Sequence, residues 1–408
     1  MKVSQLHKIY YFMQKEGMAG AIGRVFRKLR LGLSHFPAKI CDFVFLHKYQ
    51  SKIKDRSRGK NVYILSYCFD WNLPLYQRPH QIASALAKLE NSYVLFVSDE
   101  YRYDNFSGIF SVKEQLDVVS KRIMPYMDDA FCEAKEVTVF KCWPMQTEWL
   151  RHIRCDKLVY EYIDDLSILP YCTEEMIKEH QRLLAKADLT VCTSEMLLKE
   201  AGTCARKAIL CPNGGDYEHF CMAQRSEVPK ELAERVAPYE CVFGYYGAIA
   251  EWFDYDLVCN VAQKRKNWCF VLIGDKSGAS KAEICSLEAE NIICLPAQKY
   301  EVLPRFAALF DIQVIPFKVN RLTEAVSPVK LFEYMAIGKP ILTAPLPECK
   351  RYESVRTYTD ADDFIKQAEK LMEMAHDPEY LAVMDKEARE NTWDARVEEI
   401  VGSLRGER

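Results

Sequence analysis

Hydrophobic and polar positions follow one rhythm through most of this chain. From Asn61 onward, short runs of β-branched and aromatic residues alternate with stretches whose apolar positions recur every three or four residues. That is the pattern of parallel strands joined by crossover helices. The runs predict strands at 61–67, 93–97, 137–141, 158–163, 189–193 and 207–211, with a first helix near 78–89. A turn-rich stretch, Pro212-Asn213-Gly214-Gly215-Asp216, and a polar helical connector over 226–238 follow. A second series then predicts strands at 242–246, 269–273, 291–295, 312–316 and 340–343, and helices at 256–266, 303–310 and 329–337. The expected fold is therefore α/β, with two Rossmann-like domains at 59–222 and 223–385. A closing helix within 386–408 is expected to cross back to the first of them.

The first 58 residues break this rhythm. Ile9-Tyr10-Tyr11-Phe12-Met13 and the segment from Gly20 to Leu31 mix apolar and basic residues at spacings that allow amphipathic helices. Residues 1–60 carry fourteen Lys or Arg against Glu16, Asp42 and Asp55, a balance of +11 in a chain whose net charge is −3. A basic amphipathic arm in front of an acidic body predicts an anionic membrane surface as its partner; the alternative is a helix packed on its own domain. No run approaches the ~18 apolar residues of a spanning helix. The expected location is cytoplasmic, peripheral on the inner face of a membrane. The sixteen cysteines are scattered singly, without a Cys-x-x-Cys pair, as reduced thiols in a reducing compartment would be. Neither structural zinc nor a nucleic-acid partner is expected.

One segment carries a distinct chemical signal. In Ser327-Pro328-Val329-Lys330-Leu331-Phe332-Glu333, Ser327 is a good N-cap, Pro328 suits the first helical position, and Gly338 ends the helix before a strand begins at Pro340. The helix opens beyond the carboxyl end of the 312–316 strand, where α/β sheets bind ligands. Its free amides and dipole favour an anion, Lys330 adds a positive charge, and Glu333 lies on the same face. A diphosphate beside a carboxylate that accepts ribose hydroxyls fits this set; so does an ordinary ion pair on a core helix. Asp254-Tyr255-Asp256 has the spacing of a metal-binding pair, but its place at a helix start is better explained by an N-cap.

The run from Ser327 to Pro340 resembles the donor-site helix of GT-B glycosyltransferases, especially bacterial family 4-like enzymes of cell-wall and capsular polysaccharide synthesis, including the teichuronic acid group. The resemblance covers most of residues 61–345. It includes Gln77-Arg78-Pro79-His80-Gln81, Tyr160-Glu161-Tyr162-Ile163-Asp164-Asp165, Pro212-Asn213-Gly214, the run from Gly244 to Ile249, and Ile315-Pro316-Phe317. It implies two domains facing each other across a cleft, the N-terminal one receiving a saccharide or lipid-linked acceptor and the C-terminal one a nucleotide-diphosphate sugar. No cofactor and no obligatory metal are implied. Ser327, Pro328, Val329, Lys330 and Gly247 would then surround the diphosphate and Glu333 would bind the ribose, with Lys330 also stabilising the leaving group. The family's second Glu falls at Ala325 here, with Glu324 one residue out of register. The family's phosphate-binding Arg is missing after Gly247, where Ala248-Ile249-Ala250-Glu251 follows.

Other candidates are placed by the predicted elements. Arg78 and His80 open a helix at the first sheet's carboxyl edge and are candidates for acceptor binding, Arg78 through a phosphate or other anion and His80 by binding or shuttling a proton; the other reading is a cap-region salt bridge for Arg78 and a satisfied core histidine for His80. Glu251 is a further candidate for acceptor binding. Asp164 and Asp165 follow the 158–163 strand, and one of them, Asp164 by preference, is the candidate base that deprotonates the acceptor hydroxyl. The other reading of this pair is an Asx turn or N-cap. Tyr300 is placed to stack on the nucleotide base or to pack. The rival function is a nucleotide-sugar-binding subunit with little turnover. A dinucleotide oxidoreductase is disfavoured because no Gly-x-Gly-x-x-Gly follows either opening strand.

Overall fold

The computed structural model describes residues 36–406, apart from 74–75, 146–147, 170–171 and 226. The segments 9–13 and 20–31 lie outside the described residues. The chain forms two compact units: 1–192, 197–210 and 400–408 in the first, and 193–196 with 211–399 in the second. Residues 211–222, grouped above with the first domain, cluster with the second.

The first unit is built on an eight-stranded sheet: β1 (Asn61–Ser66), β2 (Ser92–Ser98), β3 (Ile109–Lys113), β4 (Leu116–Ser120), β5 (Glu136–Lys141), β6 (Lys157–Tyr162), β7 (Leu189–Cys192) and β8 (Ala208–Leu210). Its order is β3-β4-β2-β1-β5-β6-β7-β8, with every pair parallel except β3 with β4. Central strands buried on both faces explain the continuous apolar runs seen in the sequence. Val62, Ile64, Tyr93, Leu95, Val137 and Val139 form the core of one face. Strand order reverses between β1 and β5, the kind of place where open α/β sheets leave a crevice.

The described part of the arm packs on this unit as two helices, Phe36–Val44 and Leu46–Ser57. Ile53 and Ser57 are buried, and Ser57 Oγ donates to the carbonyl of Ala130 at 2.9 Å. Arg56 meets the buried carboxylate of Asp117 at 3.2 Å. Gly108 has a φ of 66° and faces Tyr49 so closely that a Cβ would lie 2.1 Å from its ring, so no other residue fits this turn. For residues 36–58, packing on the domain is observed.

The second unit holds a parallel sheet of β9 (Cys241–Tyr246), β10 (Trp268–Ile273), β11 (Ile292–Leu295), β12 (Ile312–Ile315), β13 (Ile341–Thr343) and β14 (Val355–Thr357). The order β11-β10-β9-β12-β13-β14 reverses between β9 and β12. This is the doubly wound Rossmann arrangement. Its core gathers Phe243, Phe270, Val314, Leu331 and Phe364 among others. Helices Ala361–Met374, Pro378–Glu390 and Trp393–Arg405 close the chain. Among the described residues no helix is long and apolar enough to cross a membrane, and all the cysteines are free.

Candidate functional site

The switch point of the second sheet brings two segments together. β9 ends at Tyr246 and the chain turns at Gly247, whose φ is 131°. β12 leads, through a short helix at Arg321–Glu324, to the helix Val329–Ile337. A Cβ on Gly247 would sit 3.1 Å from Cε and 3.3 Å from Nζ of Lys330. The glycine therefore does two things: it adopts a backbone conformation that side chains resist, and it leaves open the space beside the lysine.

The helix starts one residue later than a Ser327 cap requires. Pro328 is the N-cap, with φ −69° and ψ 116°, and no side chain caps the first amides. Ser327 is buried and engaged elsewhere: its Oγ accepts from the Asn213 backbone N–H at 3.1 Å, and its carbonyl accepts from Asn213 Nδ2 at 2.6 Å. The Asn-Gly-Gly turn thus fixes the helix start from 114 positions away. Gly215 allows this approach, since a Cβ there would lie 2.9 Å from the Phe332 backbone. Asn213 is a site residue that local sequence reasoning assigned only to a turn. At the other end Gly338 stops the helix in the left-handed conformation, as expected, with φ 75°.

Lys330 lies half-buried with its ammonium over the rings of Tyr245 (5.3 Å) and Phe317 (5.0 Å). Among the described residues it makes no ion pair within salt-bridge distance. Burial pushes its pKa down to about 8, opposed by the nearby Glu333 carboxylate. Glu333 is only 7% exposed, and burial pushes its carboxyl up to about 7, although the Tyr246 side chain and Lys330 favour the charged form. The two groups feel each other without forming the surface ion pair that is the alternative reading of their spacing. A cation resting on aromatic faces, beside uncapped helical amides, is a set of groups that can receive an anion.

The other expected donor contacts are less uniform. Tyr300 stacks on His219 at 4.5 Å and 14°, and His219 Nε2 bonds the Tyr300 carbonyl at 2.9 Å, so one face of the Tyr300 ring is already covered. Glu324 is exposed on its short helix, while Ala325 is buried. Glu251 is exposed in the turn after Gly247, within the second unit. Asp254 caps the helix Tyr255–Lys264 by accepting from the Leu257 N–H, as the N-cap reading requires.

In the first unit the candidates separate. Gln77 and His80 form a capping box at the start of the helix Arg78–Leu86. The Gln77 N–H donates to His80 Nδ1 at 3.3 Å, which leaves Nε2 to donate to the Trp71 carbonyl at 2.9 Å. The ring is fully buried between Trp71 and Phe96, and burial lowers its pKa. His80 is thus a neutral, internally satisfied capping residue, and the expectation that it reaches an acceptor or shuttles a proton is corrected. Arg78 is 5% exposed and donates through Nε (3.0 Å) and Nη2 (2.7 Å) to Glu161, which also accepts from the Tyr67 hydroxyl. Its charge is neutralised inside the fold, which corrects its assignment as an anion-binding group.

The aspartates divide the two readings between them. Asp165 is buried and caps the turn Leu166–Ile168, accepting from the Ser167 N–H at 2.8 Å and the Ser167 hydroxyl at 2.6 Å. Asp164 keeps an accessible side chain at the carboxyl end of β6, while the surrounding protein raises its pKa by desolvation. Of the two, Asp164 is the exposed one.

Comparisons with known proteins bear on this geometry. Residues 261–402, which include the Lys330 helix, match the family described as glycosyl transferase-like. Over 231 residues the chain is 29% identical to TuaH of Bacillus subtilis, a protein assigned to teichuronic acid biosynthesis as a glycosyltransferase. The match covers 54% of this chain and spans 57% of that relative's length. HepE of Anabaena, solved with UDP and glucose, superposes with a TM-score of 0.58 at 13% identity, over 85% of this chain and all of that one. Trehalose 6-phosphate synthase of Burkholderia multivorans gives 0.58 at 10% identity, over 85% and 98%. The fold is that of the GT-B glycosyltransferases. The matched family and the relative are both described as glycosyltransferases.

Proposed function

We propose that this protein moves a sugar from a nucleotide-diphosphate sugar to a hydroxyl of a saccharide or lipid-linked saccharide acceptor in cell-surface polysaccharide synthesis, at the inner face of a membrane reached through residues 1–58. In the reaction the bond from the anomeric carbon to the diphosphate breaks, a bond to the acceptor oxygen forms, and the hydroxyl proton leaves to a base, for which Asp164 is the candidate. The observation that carries the reading is Lys330, a half-buried cation held over two aromatic rings beside uncapped helical amides and the open space at Gly247. Negative charge builds on the departing diphosphate, and preorganised positive charge there lowers the barrier. Glu333 accepts the ribose hydroxyls in its ionised form. The reaction needs no obligatory metal, because lysine and helix dipole supply the charge.

A second reading, a nucleotide-sugar-binding subunit with weak turnover, draws on Ala325, which is buried where the resembled enzymes carry a sugar-binding Glu. Hydrolysis of UDP-, GDP- and dTDP-sugars by the purified full chain separates the two. Slow release of free sugar from at least one donor, unchanged by EDTA, is expected. Tight donor binding with no release favours the subunit, and activity lost in EDTA and restored by Mn²⁺ overturns the metal-free mechanism.

A further inference from the structure

The helix Phe36–Val44 presents Phe36, Ile40, Phe43 and Val44 to solvent, at 61, 52, 77 and 64% exposure. The spacing i, i+4, i+7, i+8 places all four within one stripe of about 100°. Phe45, just past the helix, continues it at 48%. A contiguous apolar stripe of this kind marks a contact surface rather than scattered surface residues.

The stripe is held outward by the opposite side of the same helix. Asp42 is 5% exposed and accepts from Ser107 Oγ (3.0 Å), the Gly108 N–H (2.6 Å) and Arg122 Nε (2.5 Å). Rolling the helix to hide its apolar face would tear this carboxylate from its cation. Lys39 precedes Ile40 in the same helix and Lys48 follows Phe45 by three positions, both exposed and without an ion pair among the described residues. Beside them is a cavity of about 170 Å³ lined by Lys39, Asp42, Phe43, Leu46, Arg122 and Tyr126. Residues 1–60 carry an excess of eleven positive charges. The partner that matches an apolar stripe edged by unpaired lysines is an anionic lipid surface, into which the rings sink while the lysines stay among the headgroups.

We propose that Phe36–Val44 is a membrane-insertion wedge, fixed to the first unit through Asp42, that seats the enzyme on an anionic bilayer. The inference rests on the membrane placement proposed above and deepens it by naming the residues that enter the lipid.

The test is vesicle flotation of the full chain on phosphatidylcholine vesicles with and without phosphatidylglycerol, for the wild type and for a combined Phe36→Ser, Ile40→Ser, Phe43→Ser variant. The wild type is expected to float with the anionic vesicles and much less with the neutral ones. The variant is expected to lose at least about tenfold in binding while its melting temperature and elution volume stay as in the wild type. A wild type that ignores anionic vesicles overturns the proposal. So does a variant that binds like the wild type, which would put the contact elsewhere, for example in residues 1–35. A wild-type dimer that the variant dissociates also overturns it, because the stripe would then be covered by a second copy. A single Phe43→Trp substitution adds a direct reading: its emission shifts to the blue on anionic vesicles if the ring inserts, and an unshifted spectrum contradicts insertion. Binding is read without substrate, so the wedge stands or falls independently of the donor assays.

Discussion

The carboxyl edges of the two sheets hold similar residues in opposite states. In the first unit Arg78 stands at a helix start and a glutamate lies buried nearby, and the two are joined by two hydrogen bonds, with a tyrosine hydroxyl completing the carboxylate's partners. In the second unit Lys330 is the second residue of a helix with Glu333 three positions on, and no ion pair joins them. The first pair satisfies itself and holds the fold; the second leaves both charges poorly compensated, with shifted pKa values, as a site awaiting a ligand does. What separates structure from function here is whether the charge is already paired.

The largest effect expected from that contrast is on stability. Glu161→Gln removes the carboxylate that neutralises Arg78 in the interior and should lower the unfolding free energy by about 3–5 kcal/mol, read by urea denaturation. A small change would mean that the pair is not the internal strut described. Lys330→Ala should leave the same denaturation curve almost unmoved.

The pH dependence of donor turnover sharpens the second half of the comparison. Above pH 8 Lys330 loses its charge, and below pH 7 Glu333 gains a proton, so both limbs lower activity. The profile of kcat/KM should be bell-shaped with limbs near 7 and 8, belonging to the pair rather than to either residue alone. In Lys330→Ala the alkaline limb should disappear. A flat profile between pH 6 and 9 would count against the pair as the donor site.

The smallest effect falls on neighbouring aspartates in the first unit. Asp165→Ala removes a cap and should cost about 1 kcal/mol of stability. Asp164→Asn should leave stability alone and reduce turnover by ~10²-fold, the contribution of a general base. If Asp164→Asn and Asp165→Asn both keep near wild-type turnover, neither is the base.

The fold was legible because its strands are short apolar runs buried on both faces, so hydrophobicity alone marks them. β3 was missed because it is an edge strand whose Ser111 and Lys113 break the apolar pattern, β4 because Asp117 interrupts its short apolar run, and β14 because three residues give no periodicity. The helix Val329–Ile337 and its Gly338 stop were legible from local signals. The role of Ser327 was not, because Asn213, far away in sequence, claims its hydroxyl. For His80 and Arg78 the sequence left acceptor chemistry and an internal role both open, since nothing local reveals that Trp71, Phe96 and Glu161 enclose them. Asp254 was read correctly because a cap is satisfied within three residues.

The measurement closest to the central claim is calorimetric titration of wild type and Lys330→Ala with a nucleoside diphosphate and with the matching nucleoside, choosing the base that the wild type binds best. The wild type should bind the diphosphate far more tightly, and Lys330→Ala should lose at least about tenfold in diphosphate affinity while its nucleoside affinity stays the same. Equal diphosphate affinity in the two proteins would contradict the assignment of Lys330 as the cation that holds the leaving group.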